Sequence, residues 1–108
     1  MEKQKSRPRL AEVKSVAEFT DPSDVADFLI WNHGGPVFFE WRGRDFVWDG
    51  FSNFLFADFS KWNSSGHPTS DWEPITPEFS SAEEALDFPF LDGKSLRERF
   101  SECRFFVE

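Results

Sequence analysis

The chain is poor in the residues on which most catalytic and secreted proteins depend. One cysteine, Cys103, stands among 108 residues, so no internal disulfide can form and a small disulfide-stapled scaffold is excluded. There are two histidines, His33 and His67, and no tyrosine. One cysteine cannot build a thiolate zinc site, and two isolated histidines do not make a ligand cluster. No stretch approaches the ~20 apolar residues of a membrane span. The opening MEKQKSRPRL is charged but has no apolar run, unlike a signal peptide. Bases are also scarce: 12 Lys and Arg against 20 Asp and Glu give a net charge of −8. That sign disfavours nucleic acid and anionic membranes as direct ligands of the folded body. The expectation is a soluble, cytoplasmic, acidic domain with no cofactor and no metal.

Aromatic residues are abundant instead, with fifteen Phe and five Trp. Complete burial of twenty aromatics removes about 3,000–5,000 Å² from water. A chain of this length buries roughly 12,000 Å² on folding, so one aromatic core can absorb them all. A contiguous exposed group of them would instead mark a binding patch.

Charge divides the chain unevenly. Lys3, Lys5, Arg7, Arg9 and Lys14 against Glu2 and Glu12 give residues 1–14 a local charge of +3, which leaves −11 for residues 15–108. Residues 1–14 read as a flexible basic arm, solvated or folded back on the body's acids, and 15–108 as one acidic domain. Asp21-Pro22-Ser23-Asp24 starts a helix over 22–32: Asp21 caps, Pro22 suits the first turn, and Val25, Phe28, Leu29 and Asn32 share a face. From Val37 the period becomes two. Gly43-Arg44 suits a type II′ turn and Asp49-Gly50 a second tight hairpin, predicting three antiparallel strands within 37–59. In that register Arg42 faces Asp45, and Phe39 faces Trp48. One sheet face then carries Phe39, Trp41, Phe46, Trp48, Phe51 and Leu55, and the other Phe38, Val47, Phe54 and Phe56 among charged residues. Two apolar faces mean either internal cover on both or a docking surface on the second.

Residues 60–74 form a long polar loop containing Trp62 and Trp72, and Ile75–Phe79 suggests a short edge strand. Ser81 and Glu84 fit a capping box, and Asp92 is placed to cap a last helix with Leu96, Phe100 and Cys103 on one face. Residues 104–108 close the chain as a strand. The fold class is therefore α+β: an antiparallel meander of three central strands plus short C-terminal ones, packed with an N-terminal helix and one or two C-terminal helices.

Catalytic patterns are weak. Cys103 lies on an apolar helix face, where cysteine packs as a small hydrophobe. No G-x-S-x-G elbow is present. His67-x-x-x-Asp71-x-Glu73 is the nearest approach to a ligand cluster, within a polar loop. Glu40 and Asp45 approach across the hairpin, but Arg42 suggests a structural ion pair. Asp92-Gly93-Lys94-Ser95 lacks the first glycine of a phosphate loop, since position 88 is Phe. The favoured expectation is a non-enzymatic protein-binding module of the inhibitor, immunity or anti-defence kind. Its partner has a basic surface, and its contacts are Phe38, Phe54, Phe56, Trp62, Asp71, Trp72 and Glu73. The alternatives are a small-molecule site or enzyme beside the 60–74 loop using Glu40, His67 and Asp71, a nucleic-acid mimic for which Asp71-x-Glu73 imitates phosphate spacing, and a homodimer.

Overall fold

The computed structural model describes residues 9–31, 36–50, 53–61, 69–70 and 73–107. In chain order these form α1 (Leu10–Val13), β1 (Ser15–Ala17), α2 (Pro22–Trp31), β2 (Val37–Trp41), β3 (Arg44–Asp49), β4 (Leu55–Asp58), a 3-10 turn (Phe59–Lys61), α3 (Ala82–Leu86), α4 (Leu96–Arg99), a second 3-10 turn (Phe100–Glu102) and β5 (Cys103–Val107). The strands make one sheet in the order β1-β5-β2-β3-β4, antiparallel at every junction. The α+β expectation holds, with the last strand placed inside the sheet beside β2 rather than at its margin.

Both hairpins differ in detail from the sequence reading. The first turns over Arg42-Gly43, with Trp41 paired to Arg44 and Phe39 to Phe46. Arg42 and Gly43 have φ of 50° and 80°, the type I′ signature, whose twist matches that of the strands it joins. Moving the turn back by one residue shifts every pairing by two, so each side chain keeps its face while Phe39 stacks on Phe46 at 5.0 Å instead of facing Trp48. The second connection is longer than the Asp49-Gly50 pair suggests, because Asp49 pairs with Leu55. Asn53 and Phe54 both occupy the left-handed region (φ 55° and 60°), and the Trp48 indole donates to the Phe54 carbonyl at 2.8 Å. This connection turns Phe56 onto the face of Phe39 and Trp48, and Leu55 onto the opposite one, reversing the expected assignment.

Helix α2 starts as its sequence dictates. Asp21 Oδ1 accepts from the Asp24 amide at 3.1 Å, and Asp24 Oδ2 accepts from the Thr20 amide at 2.9 Å. Its buried residues are Val25, Ala26 and Leu29. The last helix is capped by Ser95, not Asp92: Ser95 and Glu98 form a complete capping box, while Asp92 (φ 57°) lies in a tight turn with Gly93 that joins Leu91 to Lys94. Cys103 begins β5 instead of ending a helix. Ile75–Phe79 forms no strand; Pro74 bridges Ala57, and the Ile75 amide donates to the Phe56 carbonyl at 2.8 Å.

The sheet separates two cores. The larger joins Phe39, Trp41, Phe46, Trp48, Phe56 and Phe105 to Val25 and Leu29 of α2, Ala85 and Leu86 of α3, and Leu96 of α4. The smaller, on the other face, contains Phe38, Val47 and Phe106 beneath Leu10 and Phe59. Residues 9–14 therefore belong to the fold, although the basic N-terminal stretch reads as a flexible arm to residue 14. Leu10 is buried, and the Arg9 guanidinium binds Asp45 at 2.7 and 2.9 Å, Glu40 at 3.1 Å and the Gly43 carbonyl at 3.1 Å.

Candidate functional site

Of the expected contact residues that the structure describes, Phe38 and Phe56 are withdrawn from the surface. Phe38 and Phe56 are fully buried, in the smaller and the larger core respectively, because both faces of the sheet are covered. Phe54 is half-buried against the larger core, and Glu73 is exposed. Trp62, Asp71 and Trp72 lie outside the described residues, as do His33 and His67. The Glu40–Asp45 pair is held by Arg9, not Arg42. Arg42 instead reaches Glu102 at 3.4 Å and Asp92 at 3.9 Å.

An apolar groove with an acidic rim opens elsewhere, between the 77–79 segment and the end of α3. Its volume is about 470 Å³, and its lining is Pro77, Glu78, Phe79, Glu84, Asp87, Phe88 and Pro89. The Phe79 and Phe88 rings meet edge to face at 5.3 Å. Phe79 is nearly buried, while Phe88 is half-buried between exposed prolines.

Local chemistry holds each wall. Buried Thr76 accepts from the Phe56 amide at 3.0 Å and donates to the Pro77 carbonyl at 3.1 Å, which ties the 77–79 segment to β4. The Phe79 amide then donates to the Asn53 carbonyl at 2.8 Å, and the Asn53 side-chain amide donates to Glu78 at 2.9 Å. On the other wall Ser81 caps α3 by accepting from the Glu84 amide at 3.1 Å. Glu84 accepts from the Ser80 amide at 2.8 Å and its hydroxyl at 2.9 Å, which lowers its pKa below the ordinary carboxylate value. Phe90 stacks on Phe56 at 4.2 Å and fixes the chain just beyond Pro89.

Carboxylates dominate the rim. Asp87 pairs with Arg97 at 2.7 Å, and Arg97 also pairs with Glu83 at 2.7 Å. None of the described residues lining the groove is basic. Helix α2, which packs against α3, adds Asp24 and Asp27 and has no base in its length. The sequence contains a visible trace of this site: Pro77-Glu78-Phe79 and Asp87-Phe88-Pro89 each combine one proline, one carboxylate and one phenylalanine, in different orders. Nothing local distinguishes them from ordinary turn residues until the fold brings them together.

A second groove of about 530 Å³ runs beside β1 and β5 and includes Phe19, Phe100, Cys103 and Phe105. Burial, reinforced by Glu102 and opposed by Arg99, pushes the Cys103 thiol up to about 12. That site holds a protonated thiol at neutral pH, the opposite of an activated nucleophile. Among the described residues no group of three His, Cys, Asp or Glu is placed to hold a metal ion, and no helix is long and apolar enough to cross a membrane. No protein family, curated protein or solved structure matches this chain.

Proposed function

We propose that this protein is a non-enzymatic binding module that captures a protein partner with a basic surface. The supporting observation is the groove at Phe79 and Phe88, which combines an aromatic base with a rim of Glu78, Glu84 and Asp87 and, among the described residues, no basic lining residue. Aromatic side chains in a shallow, open groove supply anchoring area, and an excess of one charge steers a complementary partner and raises its encounter rate. The acids of α2 and α3 extend that field beyond the groove. In this reading the partner's cationic side chains lay their aliphatic stems on Phe88 while their charged ends meet the carboxylates. The inhibitor or immunity role expected from the sequence is one use of such a module.

The test is affinity capture with the wild-type chain and with the Glu78→Gln/Phe88→Ala variant, at low and high salt. A partner retained by the wild type at low salt, released at high salt and lost by the variant supports the reading. Equal capture by both chains overturns the assignment to this groove.

A further inference from the structure

Among the described residues strand β1 is an edge of the sheet, hydrogen-bonded to β5 on one side only. Its middle residue, Val16, is 52% exposed, and neighbouring Val13 is 46% exposed. An edge strand presents unpaired N–H and C=O groups to any extended chain that approaches. Residues 13–19 read Val-Lys-Ser-Val-Ala-Glu-Phe, a pattern that mirrors itself about Val16. Ser15 and Ala17 are the small residues on either side, Lys14 and Glu18 carry opposite charges one step further out, and Val13 and Phe19 are apolar beyond those. The Lys14 backbone is already extended (φ −126°, ψ 161°). Strand alternation places Lys14, Val16 and Glu18 toward one face. That face is the one with the smaller core: Lys14 Nζ lies 4.9 Å from the Phe38 ring centre, and Val16 pairs with Phe106.

We propose that this edge is a self-association site, at which two copies pair β1 with β1 antiparallel about a two-fold axis through Val16. The symmetry sets Val16 against itself, Ser15 against Ala17, and Lys14 of each copy against Glu18 of the other. Each contact occurs twice, as in any isologous interface. Antiparallel pairing in this register is the one that opposes the two charges, and opposite charges facing across strands stabilise a pair whereas like charges oppose it. The net charge of −8 on each copy works against association, so the two local ion pairs select the register against a repulsive background. So short a strand buries far less than the roughly 1,600 Å² of a standard interface, which makes this a weak, concentration-dependent dimer. The groove at Phe88 takes no part in it.

Two measurements on the full chain test this site. In a Cys103→Ser background, the Val16→Cys substitution with oxidised glutathione is expected to give a covalent dimer. Directly opposed residues of antiparallel strands have Cα atoms about 4.5–5.5 Å apart, within disulfide range. In sedimentation equilibrium, Glu18→Lys is expected to weaken self-association about tenfold by setting two lysine pairs face to face. Adding Lys14→Glu restores it with reversed polarity. An unchanged thermal midpoint in each variant shows that the fold is intact. A glutathione-capped monomer with no covalent dimer overturns the proposal, as does a dimer indifferent to the charge reversal.

Discussion

The two faces of the sheet carry similar side chains and are closed by different means. On one face Phe39, Phe46, Trp48, Phe56 and Phe105 lie under three helices, with further rings from Phe79, Phe88, Phe90 and Phe100 packed around them. On the other, Phe38, Val47 and Phe106 are closed by Leu10 from a four-residue helix and Phe59 from a single 3-10 turn. The first cover is distributed over many contacts; the second depends on a few residues held in place by Arg9. Apolar strand residues therefore do not reveal whether a face is open, since the covering pieces are too short to show any periodicity of their own.

That difference predicts unequal responses to truncation. Phe56 touches the rings of Phe39, Trp48, Phe79 and Phe90, so Phe56→Ala opens a cavity that no neighbour can fill without disturbing the others. The expected loss is about 3–5 kcal/mol, measured by urea unfolding with a single cooperative transition. Leu10→Ala is expected to cost about 2–3 kcal/mol, the lower part of the range for leucine truncation, because a short terminal helix can move toward the gap. Hydrogen exchange separates the two cases. Leu10→Ala raises exchange from Leu10 to Ala17 while Phe39 and Phe46 keep their protection. Uniform loss of protection would show that the two cores are one cooperative unit.

The same contrast explains what was legible in the sequence. Helix α2, the three meander strands and the α3 cap follow from local signals: Asp21-Pro22 at one helix start, period-two alternation, and Ser81 before Glu84. Turn positions were less determined. Arg42 in the left-handed region is costly for a non-glycine residue, and tertiary contacts offset it: its guanidinium lies 4.7 Å from the Trp41 ring centre and reaches Glu102. Phe56 takes the face opposite to the one its alternation predicts because Phe54, a bulky residue with positive φ, extends the second connection and inverts the strand after it. The docking of residues 9–14 depends on Asp45 and Glu40, more than thirty positions away, so charge counting alone could not distinguish it from a solvated tail. The groove at Phe79 and Phe88 is likewise a product of folding: Asn53 and Thr76 fix the 77–79 segment, and the Phe79–Phe88 ring contact sets it against the 87–89 segment.

Arg9 sharpens the comparison further, because it seals the smaller core without entering it. Asp45 is almost inaccessible, and it accepts from Arg9 Nε and Nη2 and from the Leu10 amide at 3.1 Å. Among the described residues, Arg9→Ala leaves that carboxylate with the Leu10 amide as its donor in a poorly hydrated position. The expected loss is about 1–2 kcal/mol, discounted because the arginine itself is half-exposed. Removing both partners in Arg9→Ala/Asp45→Asn is expected to cost less than the sum of the single changes, and the double-mutant cycle measures the coupling. Strict additivity would mean that Leu10 alone closes this face.

The smallest expected effect concerns Glu102, which joins the margin of the larger core to solvent. It accepts from the Trp41 indole at 2.9 Å and pairs with Arg99 at 3.2 Å and Arg42 at 3.4 Å, and both guanidiniums also lie within 5.2 Å of the Trp41 ring centre. The indole hydrogen bond, followed by those arginines, holds its carboxyl below the ordinary value of 4.5. In the unfolded chain the group reverts to that ordinary value, so near and below pH 4.5 the unfolded state binds the proton more readily. The stabilisation is therefore complete above that pH and is lost as pH falls through the lower folded value. Urea midpoints measured from pH 7 to pH 3 are expected to drop in the wild type, as protonation reaches Glu102 and the similarly placed Glu84 and Glu98. Glu102→Gln keeps an acceptor for the indole but carries no titrating charge. Its midpoint is expected to start lower at pH 7 and to fall less on acidification, so that the two curves converge as the pH drops below the ordinary carboxylate range. Parallel curves would assign the acid sensitivity wholly to the helix-cap carboxylates and leave Trp41 held by packing and its two arginines alone.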